Sequence, residues 1–204
     1  MDKSAIILSG GFSSRFGQDK GLVLLARKPL IKHVLDAVDG IVEERMVVAS
    51  SAIQAEKFAK VVGTSVKVVV DVQDLRSPVV GALTGFKEAC GDYSLLLPCD
   101  VPLVSRDVLS LLLELCVGKT AAVPRWPNCF IEPLQSVYRT KPALKAAEEA
   151  LCEGELHLQS MVDRLQGVRY VSTLVLQQLD SELKTFFNVN TPLDLKKAES
   201  MLKR

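Results

Sequence analysis

The feature that most constrains this chain is an apolar strand-like run that leads directly into a glycine-rich, basic loop. Residues 5–8 read Ala-Ile-Ile-Leu, and the loop after them reads Ser-Gly-Gly-Phe-Ser-Ser-Arg-Phe-Gly-Gln-Asp-Lys. Adjacent glycines can adopt positive φ and let a polyanion approach backbone N–H groups, while Arg15 and Lys20 bring charge to phosphate oxygens. The pattern therefore predicts a phosphate-binding loop at the end of a first strand.

The spacing within this loop excludes the two commonest nucleotide loops. A P-loop requires Gly-x-x-x-x-Gly-Lys-Ser/Thr, whereas Gly17 is followed by Gln-Asp-Lys. A dinucleotide fingerprint requires Gly-x-Gly-x-x-Gly, which the pair Gly10 and Gly11 does not provide. The alternative is a Gly/Ser-rich turn that carries incidental basic residues.

Composition indicates an ordinary globular chain. The 204 residues are 48% apolar and 24% charged, with a net charge of +1. This balance lacks the basic excess of nucleic-acid-binding proteins, and no apolar stretch is long enough to span a membrane. The five cysteines are odd in number and form no Cys-x-x-Cys pair, which favours free thiols in a reducing compartment. We expect a cytoplasmic protein that binds neither nucleic acid nor membrane.

Strand-like and helix-like segments alternate along the first part of the chain. Continuous apolar strands indicate burial on both faces, so we predict a doubly wound α/β fold of Rossmann type, with a mostly parallel sheet and helices on both sides. The predicted strands are Ala5–Leu8, Met46–Ala49, Val66–Val70, Tyr93–Leu97 and Thr120–Val123. The predicted helices cover 29–39, 52–60, 79–90 and 105–116.

The pattern changes after residue 124. We predict one domain over 1–204, in which 1–124 is a nucleotide-binding core and 125–204 an acceptor-side elaboration that ends in a helix. In this second part we predict an extended segment over Phe130–Tyr138, helices over 140–151 and 157–164, a strand over Val168–Thr173 and a terminal helix over Thr191–Lys203.

Two aspartates follow predicted strands, at the edge where ligands bind in such sheets. Asp71 comes directly after the third strand, and Asp100 lies between Pro98 and Pro102 after the fourth. A carboxylate in a stiff loop at this edge suits Mg²⁺, which prefers one or two carboxylates together with phosphate oxygens. The alternative for Asp100 is a turn or helix-cap residue before Ser105.

The combination Gly-Gly-x-Ser-x-Arg-x-Gly-x-Asp-Lys after a first strand resembles the signature of nucleotidyltransferases. Its Gly-x-Asp-Lys ending is most similar to the molybdenum cofactor guanylyltransferases, the MobA family. Three further segments resemble the same family in the same order, and they are Asp71, the Cys-Asp-x-Pro at 99–102 and the Asn-Val-Asn-Thr-Pro at 188–192. Together the matches extend over almost the whole chain.

The resemblance implies a Mg²⁺-dependent enzyme that transfers GMP from GTP to molybdopterin cofactor. It implies catalytic roles for Lys20 and Arg15 on the triphosphate and for Asp100, which is also the expected metal ligand. The implied nucleotide-binding residues are Leu8, Ser9, Gly10, Gly11, Lys20, Ser50, Asp71, Asp100 and Asn190. An alternative is that Asn190 or Thr191 caps the last helix. The resemblance also implies molybdoenzyme apoproteins or other cofactor-biosynthesis proteins as partners.

Several residues depart from the family pattern. Ser50 stands where relatives often carry a base-contacting Asn, Arg27 and Ser77 stand where glycines are usual, and Ser9 replaces Ala. The departure at Ser50 bears on the preference for guanine. The alternatives are a cytidylyltransferase for the same cofactor, a nucleotidyltransferase for another sugar or small phosphate, or a non-catalytic cofactor-delivery protein. Trp126 is interpreted as a loop anchor or as a surface for a pterin ring.

Overall fold

A seven-stranded sheet with helices on both faces forms the centre of the protein in a computed structural model that describes residues 2–9, 12–13, 16–72 and 77–203. The strands are β1 (Lys3–Leu8), β2 (Phe12–Ser13), β3 (Gln18–Asp19), β4 (Leu24–Leu25), β5 (Lys28–Pro29), β6 (Glu44–Ala49), β7 (Lys67–Val70), β8 (Tyr93–Pro98), β9 (Ala121–Arg125), β10 (Ser136–Arg139) and β11 (Val168–Ser172). The helices are α1 (Leu30–Val38), α2 (Ala52–Val62), α3 (Pro78–Glu88), α4 (Arg106–Cys116), α5 (Thr140–Cys152), α6 (Leu158–Asp163), α7 (Thr173–Leu176) and α8 (Pro192–Leu202). Nowhere in these described ranges is a helix long and apolar enough to cross a membrane.

The strand order of the sheet is β11-β9-β10-β8-β1-β6-β7. Neighbouring strands run parallel, except that β10 pairs antiparallel with both β8 and β9. The predicted α/β fold with a mostly parallel sheet is confirmed. Because β10 lies between β8 and β9, the fourth and fifth predicted strands are not neighbours.

In the second part of the chain the predicted helices match α5, α6 and α8 to within one residue at each end, whereas its two predicted extended segments need correction. The segment predicted as extended was Phe130–Tyr138. Only its last three residues belong to a strand of the sheet, and that strand, Ser136–Arg139, continues one residue further. Thr173 is the first residue of α7 rather than the end of β11, because the Ser172 side chain accepts a hydrogen bond from the backbone N–H of Leu174 and caps a helix there. The proposed division of the chain at residue 124 remains a prediction.

Alternate residues of the central strand β1 pack into the two layers on either side of the sheet. Ile7 belongs to the apolar core that includes side chains of α1, α2 and α4, whereas Ile6 belongs to the core formed with α3, α5 and α6. Both are fully buried. Helix α3 lies very close to the sheet, since a Cβ on Gly85 would come within 2.3 Å of the Ile6 side chain. This burial on both faces accounts for the continuous apolar sequence of β1, whereas the edge strand β7 has no buried residue.

A small third core brings the end of the chain back to the first loop region. It joins Val23, Leu25 and Leu30 around the β4–β5 hairpin to Val189 and Ala198 at the C-terminal end. Here the backbone N–H of Val189 donates to the Asp100 carbonyl at 2.8 Å. The packing therefore sets the start of α8 beside the loop after β8.

The β4–β5 hairpin places Arg27, a departure from the expected family pattern, at a position where glycine would be favoured. Its two-residue turn consists of Ala26 and Arg27, and both adopt left-handed backbone conformations, with φ of 50° and 66°. Hairpin turns of this kind favour Asn-Gly because glycine adopts positive φ without steric cost. At position 77, by contrast, Ser77 has φ of −147° and its side chain caps α3, so no glycine is required there.

Candidate active site

A cavity of about 410 Å³ lies at the carboxyl edge of the sheet, where β1, β6, β7 and β8 end. Its lining residues are Leu8, Val48, Ser50, Asp71, Ser77, Pro78, Gly81, Pro98, Cys99, Asp100, Leu134, Asn188 and Asn190. Five of the predicted site residues are therefore brought together on one surface: Leu8, Ser50, Asp71, Asp100 and Asn190. Sequence reasoning assigned no role to Ser77, Gly81 or Asn188. It noted Leu134 only within the segment Glu132-Pro133-Leu134, which resembles a family segment on the acceptor side.

Asp100 lies just beyond β8 and is 9% exposed. Its Oδ2 accepts a hydrogen bond from Lys20 Nζ at 2.9 Å, whereas its buried Oδ1 has no partner among the described residues. A buried acceptor without a donor is costly unless a ligand satisfies it. Asp100 lies in a turn, as one alternative expected, but the helix-cap alternative is wrong, because Ser105 is the N-cap of α4. Asp100 thus offers one free carboxylate oxygen beside a cation.

Lys20 joins two separated parts of the chain at this carboxylate. Its ammonium group contacts Asp100 and also donates to the side-chain oxygen of Asn190. The lysine begins a short 3₁₀ helix over Lys20–Leu22, in which Gly21 packs directly against α2. A Cβ on Gly21 would lie 2.9 Å from the Phe58 ring, so only glycine lets the backbone approach this closely.

Asn190 and Thr191 divide the two roles considered for the last helix. Thr191 is the N-cap of α8 and forms a reciprocal capping box with Asp194. The side-chain oxygen of Asn190 instead accepts a hydrogen bond from Lys20, and Asn190 lines the cavity. The cap is therefore Thr191, and Asn190 faces the site.

Asp71 lies at the other end of the cavity, directly after β7. Its backbone N–H pairs with the Ala49 carbonyl at 2.8 Å, while its Oδ1 is buried and has no hydrogen-bond partner in the described chain. A Cβ on Gly81 would lie 3.7 Å from this oxygen, so the glycine leaves space beside it. Burial raises the pKa of Asp71 to about 6, because desolvation disfavours the charged form of the carboxyl.

Ser9 and Ser50 share a buried hydrogen-bonding partner, Gln54, that sequence reasoning missed. The Ser9 hydroxyl donates to the Val48 carbonyl at 2.7 Å, and both the backbone N–H and the hydroxyl of Ser50 donate to Gln54 Oε1. Gln54 also donates to Asp19 Oδ1 at 2.9 Å. The only available sequence signal was its position three residues after Ser51, which is typical of helix caps.

Three predicted phosphate-loop residues, Gly10, Gly11 and Arg15, lie outside the described residues. Their roles remain predictions. Lys20, which ends the same motif, is described and lies at the cavity through its contacts with Asp100 and Asn190.

Trp126 is anchored by its own loop environment. Its indole N–H donates to Glu132 Oε1 at 2.7 Å, and its ring packs edge-on against Phe186 with centroids 5.6 Å apart. Burial raises the pKa of Glu132. Neither Trp126 nor Glu132 lines the cavity. This arrangement matches the loop-anchor interpretation of the tryptophan.

The cavity thus has two chemically different ends. We call Lys20, Asp100 and Asn190 the cation end, and Asp71, Ser50 and Gly81 the acidic end. The cation end combines an ammonium group with hard oxygen atoms, which suits phosphates and a hard metal ion. In the part of the chain that the structure describes, no group of three or more His, Cys, Asp and Glu side chains could enclose a metal by itself.

Comparisons with known proteins identify the family of this chain. The family described as MobA-like NTP transferase domain matches residues 5–169. A protein from Methanosarcina mazei named "Probable molybdenum cofactor guanylyltransferase" is 31% identical over 198 residues, which cover 95% of this chain and 88% of the relative.

Two solved structures are similar over nearly the whole chain. Molybdopterin-guanine dinucleotide biosynthesis protein A from Archaeoglobus fulgidus aligns with a TM-score of 0.82 and 28% identity, covering 98% of each chain. The 2-C-methyl-D-erythritol 4-phosphate cytidylyltransferase from Thermus thermophilus aligns with a TM-score of 0.71 and 18% identity, covering all of both chains. The second likeness is one of fold.

Proposed function

We propose, on the premise that this chain belongs to the MobA-like NTP transferase family, that it transfers GMP from GTP to the phosphate of molybdopterin cofactor. An oxygen of that phosphate attacks the α-phosphorus of GTP. The bond from the α-phosphorus to the bridging oxygen of the β-phosphate breaks, and pyrophosphate leaves. The products are pyrophosphate and the guanine dinucleotide form of the cofactor.

The observation that carries this proposal is the contact of Lys20 with both Asp100 and Asn190 at the cation end. Three motifs far apart in the sequence thereby meet at one point of the cavity. A phosphate nucleophile is already ionised, so the protein needs only to align it and to offset negative charge on the triphosphate. In this proposal Lys20 stabilises the triphosphate, together with Arg15 and the Gly10–Gly11 backbone.

The residues of the cation end fit a Mg²⁺ ion that GTP would bring with it. Asp100 supplies a buried carboxylate oxygen without a partner among the described residues, and Asn190 supplies an amide oxygen. Mg²⁺ is usually bound by one or two carboxylates together with substrate phosphates, which matches this sparse donor set. When bound, the ion would offset charge on the phosphate oxygens. Asp100 would hold it, and Lys20 would share the same phosphates.

The acidic end fits the nucleoside part of GTP. Guanine and ribose offer N–H and O–H donors, and Asp71 Oδ1 is a buried acceptor that lacks a donor among the described residues. At neutral pH a carboxyl with a pKa of about 6 is mostly ionised, so it accepts such bonds. Leu8, Ser9 and Ser50 complete this end in the proposal, because they lie at the ends of β1 and β6 beside it.

Ser50 gives one specific reason to test other nucleotides. It replaces an Asn that relatives often carry, and it lines the cavity, so a cytidylyltransferase for the same cofactor is the second candidate. We further propose that the reaction occurs in the cytoplasm and that the product passes to molybdoenzyme apoproteins or other proteins of cofactor biosynthesis.

The test is to incubate the protein with molybdopterin cofactor, Mg²⁺ and each of the four NTPs, and to identify any dinucleotide by mass. We expect the guanine dinucleotide and an equal amount of pyrophosphate, and neither product when EDTA is present. A cytosine dinucleotide would establish the second candidate. Binding of cofactor without pyrophosphate release from any NTP would contradict a transferase role and support a delivery protein.

A further inference from the structure

Gln54 is a buried amide whose hydrogen-bonding capacity is fully used. Its side chain is 4% exposed. Oε1 accepts from the backbone N–H of Ser50 at 2.7 Å and from its hydroxyl at 3.1 Å. Nε2 donates to Asp19 Oδ1 at 2.9 Å and to the Ser9 carbonyl at 3.3 Å. One side chain therefore links the loops after β1 and β6 to the residue that precedes Lys20.

The partners fix which way round this amide lies. A backbone N–H from Ser50 requires an oxygen, and the Asp19 carboxylate and the Ser9 carbonyl each require an N–H. The reverse orientation would therefore set a donor against the Ser50 N–H and an acceptor against both of the other groups. The Ser9 hydroxyl lies 3.4 Å from Oε1, but its single proton is better placed for the Val48 carbonyl at 2.7 Å. The network is thus satisfied in one arrangement only.

Helix capping explains only part of this network. Ser51 is the N-cap of α2, and its side chain accepts from the Gln54 backbone N–H at 3.2 Å. In a capping box the third helical residue reaches back to the N-cap backbone, whereas Gln54 reaches one residue further, to Ser50. Its Nε2 bonds to Asp19 and Ser9 have no counterpart in a cap. A second role accounts for them.

The bond to Ser50 determines what that serine can offer to a ligand. A hydroxyl has one proton, and the Ser50 proton is committed to Gln54, which can only accept it at Oε1. The Ser50 oxygen, on the wall of the cavity, then presents only lone pairs. It is fixed as an acceptor for an N–H or O–H group of the nucleoside.

The bond to Asp19 acts on the other end of the cavity. Asp19 is 5% exposed and makes no side-chain cap for the 3₁₀ helix that follows it. Its two oxygens bind α2 instead, one at Gln54 and the other at Lys57 Nζ, 3.0 Å away. On the far side of Lys20, Gly21 lies against Phe58 of the same helix. Lys20 is therefore held between two residues that are both fixed to α2.

We infer that Gln54 is a positioning residue that serves both ends of the nucleotide site. It sets Ser50 as an acceptor toward the nucleoside and anchors Asp19 so that Lys20 points at the phosphates. This inference rests on the proposed use of a nucleoside triphosphate, but not on the identity of the acceptor or on turnover.

The test compares binding of Mg²⁺–GTP with binding of guanosine by calorimetry, without acceptor, in the full chain. Gln54→Glu retains an oxygen acceptor for Ser50 and the length of the side chain, but places a second carboxylate beside Asp19. We expect it to weaken GTP binding about tenfold, the scale of losing one charge-assisted contact, and to leave guanosine binding within about twofold. Gln54→Met loses both halves of the network, so both ligands should bind more weakly.

A pH series adds a readout that a structural defect would not give. Two carboxyl groups that share a site raise each other's pKa, and the protonated form of the introduced carboxyl can donate to Asp19 as the amide did. The charged groups that the described contacts place at this point are Asp19 and Lys57, whereas the ammonium group of Lys20 is directed to Asp100. The GTP affinity of Gln54→Glu relative to the unchanged protein at the same pH should therefore recover as pH falls from about 8 to 6.

Ser51→Ala is the matched control, because it removes a cap bond from the same helical turn and leaves Gln54 in place. It should lower Tm and leave both affinities within about twofold. If folded Gln54→Glu and Gln54→Met bind GTP and guanosine as the unchanged protein does, or if all three variants lose the same affinity, the positioning role is wrong. If the unchanged protein binds GTP but forms no dinucleotide, the proposed function fails while this test still decides the role of Gln54.

Discussion

The cation end and the acidic end of the cavity each contain an aspartate with a buried oxygen that no described residue satisfies, yet of the two only Asp100 forms an ion pair within the described chain. At Asp100 the ammonium of Lys20 compensates for burial of the carboxylate. At Asp71 burial dominates, and the pKa rises to about 6. The position of both aspartates at the edge of the sheet brings their carboxylates to one cavity. The side chains around each aspartate then determine which part of a nucleotide it suits.

Removing the ammonium group of Lys20 should have the largest effect on activity. Lys20→Ala is expected to reduce kcat by at least about two orders of magnitude, because a group that meets developing phosphate charge contributes about 2.7–4 kcal/mol. Pyrophosphate release measures the rate. Lys145→Ala, which removes an exposed lysine from α5, is the control and should retain full activity. Near-normal release of pyrophosphate by Lys20→Ala would show that the lysine does not act on the triphosphate.

Asp100→Asn should abolish tight binding of the metal ion while preserving the fold. The amide keeps an oxygen near Lys20 but loses the charge that holds a hard cation, so activity should fall steeply and recover in part at high Mn²⁺. Tm should change by less than ~4 °C, the shift that about 1 kcal/mol produces in a chain of this size.

Titration of Mn²⁺ into this variant, at GTP concentrations that saturate each protein, measures the loss directly. Asp71→Asn is the matched control and should bind Mn²⁺ as the unchanged protein does. If both aspartates affected metal affinity equally, the distinction between the two ends would be lost.

Asp71→Ala should instead raise KM for GTP more than it lowers kcat. A side chain that holds the base or ribose contributes the same binding to the ground state and the transition state, so its loss appears mainly in KM. An increase of about tenfold corresponds to the loss of a hydrogen bond to a charged group. Steady-state kinetics with varied GTP give both constants. A loss confined to kcat would assign Asp71 to the chemical step.

The smallest expected effect is a pH-dependent gain in stability for Asp71→Asn. Because the folded protein holds a proton at Asp71 more tightly than the unfolded chain does, stability from this group falls as pH rises from about 4 to about 6. The substitution removes that penalty, so at neutral pH it should stabilise by about 1 kcal/mol, or ~2–4 °C in Tm, a value kept small because the group is partly solvent-screened.

Melting curves at about pH 7 and pH 4 test the sign of this change in stability. At the lower pH the folded protein holds Asp71 protonated, so its side chain is as neutral as the asparagine of the variant, and the gain should disappear. An equal gain at both values would assign the effect to packing instead. This result would leave the role of Asp71 in nucleotide binding to the KM measurement.

Sequence reasoning located the site because it depends on strand ends. Once the segments that form β7 and β8 were recognised as parallel strands of one sheet, Asp71 and Asp100 had to lie at the same edge. Residue spacing could not predict that Lys20 contacts Asn190. The expectation that Asn190 lies near the site came from the order of the motifs that resemble the family. Gln54 was missed because a glutamine in the first turn of a helix has an ordinary explanation as a cap.

The direction of β10 was also beyond the sequence pattern. Apolar alternation over Phe130–Tyr138 indicates an extended segment, but it does not say which strands lie beside it or whether they run parallel. That choice depends on long-range packing of Val137 and Tyr138, which are fully buried. Tyr138 donates its hydroxyl to the Pro133 carbonyl and packs edge-on against Phe86 of α3, a contact that periodicity cannot predict.

The inserted strand has a consequence for the order in which the protein assembles as it is synthesised. β9 leaves the ribosome before both of its sheet neighbours, β10 and β11. A nascent chain that ends near residue 124 therefore carries a buried-type strand with two unpaired edges, a form prone to wrong association. The nucleotide-facing half of the sheet can form early, whereas β9 joins it only when β10 arrives to connect it to β8.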